Sequence, residues 1–77
     1  MPKELSYTVI LEPQPGGGFT VLVPALPEVV TEGDSEEEAL AMARDAIRLS
    51  LDDRREQGLP APADTTPAMR TVTVAAE

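Results

Sequence analysis

Seventy-seven residues with fourteen acidic and six basic side chains give a net charge of −8. A field of that sign repels phosphate backbones and points to a basic protein, not a nucleic acid, as partner. Cysteine and histidine are both absent. That excludes disulfides and thiolate metal sites, and it removes the commonest general base and transition-metal ligand.

A chain of this length buries only about 60% of the surface it exposes when unfolded. The core is thin, so association with a partner or a second copy would help, and a homo-oligomer is expected. Any catalysis would rest on carboxylates, hydroxyls or Lys3, a poor set, so the chain is expected to be no enzyme and to need no cofactor or metal. No apolar run approaches the ~20 residues that span a bilayer, and the N-terminus carries no signal-peptide pattern. A cytoplasmic protein of one domain over residues 1–77, without a membrane partner, is the expectation.

In chain order, Leu5, Tyr7, Val9 and Leu11 alternate with Ser6, Thr8, Ile10 and Glu12, the period-two pattern of a strand with one buried face. Pro13 to Gly18 is a turn, and Phe19, Val21 and Val23 resume the alternation against Thr20 and Leu22, so the two runs predict a β-hairpin. Pro24 and Pro27 end the second strand because each removes a ladder donor. Val29 to Glu32 predicts a short third strand, stopped by Gly33.

Ser35-Glu36-Glu37-Glu38 is a capping box, with Ser35 accepting from a free amide and Glu38 reaching back to the cap. Its three carboxylates stand where a helix dipole favours negative charge. The helix is expected to run to about Gln57, with Gly58 as its C′ stop and Pro60 beyond. Leu40, Ala43, Ile47 and Leu51 fall on one face and predict the core stripe, flanked by Ala39 and Ser50. Leu59 to Pro67 is a Pro/Ala/Thr-rich connector, and Arg70 to Val74 alternates once more as a fourth strand.

The expected fold is α+β, in the order β-β-β-α-β. A three-stranded meander leaves strand three parallel to strand one, and a right-handed helical crossover brings strand four into the same sheet. Strand four beside strand one gives a four-stranded mixed sheet of order 3-2-1-4, with one helix on one face and the opposite face open.

Tyr7–Glu12, the Gly-rich turn, Phe19–Pro27 with its Val-Pro-x-Leu-Pro, Thr31–Ser35 with Glu-Gly-Asp-Ser, and Glu37–Leu40 together resemble the HicB antitoxin family. The run Ala43–Leu49 extends the likeness, which covers roughly residues 5 to 59. The resemblance implies a truncated ribonuclease-H-like fold and a function in toxin–antitoxin systems. Such proteins neutralise a small basic toxin, HicA, which cleaves messenger RNA and is similar to a double-stranded-RNA-binding domain. Many relatives carry a C-terminal DNA-binding module. Here only Ala75, Ala76 and Glu77 follow Val74, so promoter binding by this chain alone is not expected. Glu28 departs from the glycine that many relatives have after the Leu-Pro.

Rotation by 100° per residue puts Met42 and Leu49 opposite the core stripe, with Asp45, Asp53 and Glu56 around them. Two apolar side chains one heptad apart within carboxylates suit a basic partner, although single exposed apolar residues are also common and need no function. The competing surface is the open sheet face, where Ile10 and Leu22 lie among threonines. The alternative function is a solitary structural or oligomerisation module with no cognate toxin.

Nuclease chemistry on such a scaffold needs carboxylates converging on two metal ions roughly 4 Å apart. Glu12, near the end of strand one, is the acid read as lying near the sheet, and Glu36, Glu37 and Glu38 belong to the helix cap. Purified protein is therefore expected to leave RNA intact in magnesium or manganese. Metal-dependent cleavage that disappears with Glu12→Gln would contradict this.

Overall fold

The alternating runs become β1 (Ile10–Pro13), β2 (Phe19–Leu22) and β3 (Val30–Gly33), and the capping box opens α1 (Glu36–Glu56). In this computed structural model, residues 4–77 are described; Lys3 lies outside them. The three strands form an antiparallel meander in the order β1-β2-β3. Its register sets Ile10 opposite Leu22 and Leu22 opposite Val30, while Leu11, Val21 and Thr31 line up on the other face.

The first strand is shorter than the alternation predicts, for a reason the register supplies. With Ile10 opposite Leu22, continued pairing would bring Thr8 to Pro24, which has no amide to donate. Residues 5–9 therefore run on without a strand partner, while Tyr7 and Val9 still face the core. The prolines that end β2 build two consecutive β-turns. Leu26 N donates to Val23 O and Val29 N to Leu26 O, both at 2.9 Å, with Pro24 and Pro27 at the second turn position, where their fixed φ fits. The turn corners Val23, Leu26 and Val29 are all buried and form one core cluster with Ala46, Ile47 and Leu51 packed against it.

The second cluster is Val21 with Ala39 and Ala43, joined by Val9, Leu11 and Phe19. The helix thus meets the sheet through alanines. Ala39 is fully buried while Leu40 is 36% exposed, so the buried stripe is turned by about one residue from the one the sequence predicts. Gly33 explains the turn. A Cβ placed there would stand 2.4 Å from the Ala39 amide nitrogen, so a side chain at 33 would push the first helical turn off β3.

Both helix ends close as the residues predict, with one change. Ser35 Oγ accepts from the Glu38 amide at 3.1 Å, but Glu38 reaches past the cap to the Asp34 amide at 3.4 Å. At the other end Gly58 has φ +76°, and the Gly58 and Leu59 amides donate back to Arg55 O and Arg54 O. This is a Schellman motif, which needs the left-handed residue that glycine supplies.

The fourth strand is a correction. Residues 59–77 carry no regular element, and the sheet has three strands, not four. Alternation at Arg70–Val74 is a local preference, and a strand exists only where a ladder partner accepts it. The connector steers the chain elsewhere: Tyr7 Oη donates to Pro62 O at 2.6 Å, and Thr8 N and Oγ1 donate to the two Asp64 carboxylate oxygens at 2.8 and 2.7 Å. With the tail directed outward, the radius of gyration is 15.2 Å, against about 11 to 12 Å for a compact chain of this length.

Gly33→Ala is expected to cost at least the ~1–3 kcal/mol typical of overpacking, because all three clashing atoms are helix backbone. Urea unfolding monitored by circular dichroism measures this, with the exposed Gly16→Ala as the near-neutral control.

Candidate functional site

The long helix presents one continuous outward face. Met42 (45% exposed) and Leu49 (72% exposed) stand along it, with Asp45, Asp53 and Glu56 also exposed. Position 49 lies seven residues from 42, two helical turns, so the two apolar side chains are stacked rather than scattered. Asp53 is steadied by Gln57, whose Nε2 donates to Asp53 Oδ2 at 3.0 Å. All five residues that the sequence nominates for partner binding lie on this face and point into solvent.

Charge is sorted on either side of that face. On one flank Arg54 donates from Nε and Nη2 to the Glu28 carboxylate, both at 3.2 Å, and Ser50 Oγ donates to the same group. Glu28 stands in the second proline turn, so this cluster ties the β2–β3 connection to the C-terminal half of the helix. The hydrogen bond from Ser50, followed by that from Arg54, lowers the Glu28 pKa from 4.5 to about 2. On the other flank Arg44, Arg48 and Asp52 border a groove.

At the alternative surface, the open sheet face, Ile10, Leu22, Val29 and Pro67 of the tail line one shallow apolar depression of about 350 Å³. Ile10 and Leu22 are half-buried, while Val30, opposite Leu22 on the same face, is 61% exposed. Sequence reasoning missed the approach of Pro67, because nothing in its spacing says which face the connector crosses.

The groove was missed as well. It measures about 610 Å³ and lies between the segment that precedes β1, with Leu5, Tyr7 and Val9 as one wall, and the helix, with Leu40, Ile47 and Leu51 as the other. Alternation at Leu5–Val9 and the Leu40–Leu51 stripe were the available signals, but both read as core facing core.

Among the described residues no group of three or more acidic side chains is placed to hold a metal ion. No helix among them is long and apolar enough to cross a membrane.

A sequence model of the family described as HicB-like antitoxins of bacterial toxin–antitoxin systems matches residues 7–74. The chain is 42% identical over 64 residues to Antitoxin HicB 1 of Photorhabdus laumondii, covering 78% of this chain and 41% of that protein. It is 38% identical over 48 residues to Antitoxin HicB of Escherichia coli K12, covering 62% of this chain and 35% of that protein. UPF0150 protein Ta0767 of Thermoplasma acidophilum is 35% identical over 60 residues, covering 78% of this chain and 87% of that protein. The matched part of this chain spans less than half the length of the two HicB antitoxins.

The Glu28 cluster has a testable pH signature. A carboxyl whose pKa is lower in the folded state contributes stability above its unfolded pKa and loses it as pH falls through the folded one. The contribution should be complete above about pH 4.5 and fade towards pH 2. Because the ion pair is partly exposed and screened by solvent, Glu28→Gln should cost no more than ~1 kcal/mol at neutral pH. Urea midpoints of the two proteins should converge as pH falls from 5 to 2; midpoints that stay parallel would show that the cluster contributes nothing.

Proposed function

The chain belongs to the HicB-like antitoxin family of bacterial toxin–antitoxin systems, a family of antitoxins and not of enzymes, and from that premise we propose that it neutralises a small basic toxin of the HicA type by protein contact. The observation that carries the proposal is the outward helix face. Met42 and Leu49 supply a desolvatable centre, and Asp45, Asp53 and Glu56 a negative rim. Apolar anchors near the middle of an interface hold the complex, whereas rim charges mainly steer encounter. On the open sheet face Ile10 and Leu22 are half-buried and so less available than Met42 and Leu49.

We place this action in the cytoplasm, on a single HicB-like domain with a truncated ribonuclease-H-like sheet whose fourth position lies beside β1. Homo-oligomerisation belongs to the same proposal. A second reading, an oligomerisation module without a toxin, is favoured by one observation: the apolar residues of the tail are unpartnered. A neighbouring gene for a small basic protein, and its co-purification with this chain, separates the two.

Binding kinetics with that partner test the face. Asp45→Lys with Asp53→Lys should slow association, and the wild-type association rate should fall as salt rises. Leu49→Ala should speed dissociation at least about fivefold, the ~1 kcal/mol of a hot spot. Circular dichroism should show both variants folded, since the altered side chains are exposed. Unchanged kinetics in these variants, with binding abolished by Leu22→Asp, would move the interface to the sheet.

A further inference from the structure

We propose that the groove between residues 5–9 and the helix is a ligand site for an acyl chain ending in a carboxylate, with Arg44 and Arg48 holding the head group. The site lies on a different side of the helix from Met42 and Leu49 and does not depend on the toxin reading.

Charge singles the groove out. The chain has fourteen acidic side chains for six basic ones, so carboxylate partners are plentiful. Arg54 pairs with Glu28, and Arg55 with Asp52. Among the described residues Arg44 and Arg48 make no ion pair, and both stand at the groove. The residues three and four positions from Arg44 are Leu40, Ala41, Ile47 and Arg48. None is an acid, so the helix itself offers Arg44 no partner. Four residues apart, the two arginines are neighbours on the helix surface, where like charges weaken the helix. A strongly acidic protein thus keeps two adjacent cations uncompensated beside apolar walls. A bound anion relieves their repulsion, and the planar guanidinium fork fits a carboxylate.

Asp52 also borders the groove, one turn beyond Arg48. Its carboxylate is answered by Arg55, whose Nη2 stands 3.3 Å from Oδ1. The anionic head therefore belongs at Arg44 and the near side of Arg48, away from Asp52.

The walls define the rest of the ligand. Leu5, Tyr7 and Val9 face Leu40, Ile47 and Leu51, and Leu5 and Leu40 remain 44% and 36% exposed. Apolar surface is thus still open to a ligand. The volume of about 610 Å³ lies within the range of small-molecule sites, roughly 300–1,000 Å³. From position 40 to position 51 the helix rises about 16 Å, which suits an elongated chain. A peptide strand is the poorer occupant. The Thr8 amide already donates to Asp64, so the backbone beside the groove offers no continuous ladder, and recognition falls to side chains.

The test uses the full chain. Tyr7 lines the groove; it is the one tyrosine, and tryptophan is absent. Tyrosine fluorescence therefore reports from the groove wall. Decanoate, titrated below its micelle concentration, should change that signal saturably. Octanoate should bind about tenfold more weakly, the loss expected for two buried methylenes. Decanol, which lacks the charge, should also bind at least about tenfold more weakly than decanoate.

Arg44→Gln with Arg48→Gln should weaken decanoate binding by at least about tenfold and keep the helical circular dichroism, because both side chains are exposed. Arg54→Gln with Arg70→Gln removes the same two charges away from the groove and should leave the dissociation constant unchanged. Leu49→Ala, chosen to weaken toxin contact, should leave it unchanged as well, so the two readings fail separately. No saturable signal, decanol bound as tightly as decanoate, or equal losses in the two arginine pairs would each overturn the site. Weakened decanoate binding in Leu49→Ala would overturn it too, by moving the ligand to the outward helix face.

Discussion

The close approach of the helix to β3 is the constraint on which the rest depends. Gly33 has no side chain, so the backbone at Ala39 comes within a distance that any Cβ would violate. Ala39 and Ala43 then lie directly on Val21. With the helix so low, long side chains cannot fit beneath it, and they are displaced to its sides. Leu40, Ile47 and Leu51 move towards the segment that precedes β1 and become a groove wall, while Met42 and Leu49 stay outside. Small residues at one contact thereby decide which large residues are core, which line a groove and which face a partner.

The proline turns after β2 do the complementary work at the other end. Each places an apolar corner inward, so Val23, Leu26 and Val29 complete a core that three short strands could not enclose alone. They also set the length of β2, and with it the point beyond which residues 5–9 have no antiparallel partner. Glu28, in the second of these turns, fastens this corner to the helix through Ser50 and Arg54.

These constraints divide the surface into parts with different chemistry. The outward helix face combines exposed apolar residues with carboxylates, the open sheet face holds an apolar depression bordered by Pro67, and an apolar groove runs between residues 5–9 and the helix. A negative, exposed face suits encounter with a positive partner, whereas a groove flanked by Arg44 and Arg48 suits an anionic amphiphile. Toxin contact and ligand binding can therefore occupy different sides of one small subunit without competing.

Much of the local structure was legible in the residues alone. Alternation gave the hairpin and the third strand, Ser35 and Gly58 bounded the helix, and the heptad spacing of Met42 and Leu49 showed an exposed stripe, because all of these depend on neighbours within a few positions. The motifs at Val23–Pro27 and Glu32–Leu40 were enough for the family likeness. Three things needed the tertiary structure. The buried helix stripe turned towards Ala39, since helix height depends on a clash between Gly33 and a residue on another element. Pro67 proved to lie beside Ile10 and Leu22, since only the fold shows where the connector lands. Arg70–Val74, which alternates as well as any strand in the chain, found no partner within its own subunit. Alternation states a readiness to pair, and the partner is set by where the connector anchors at Tyr7 and Thr8, which no spacing within the segment encodes.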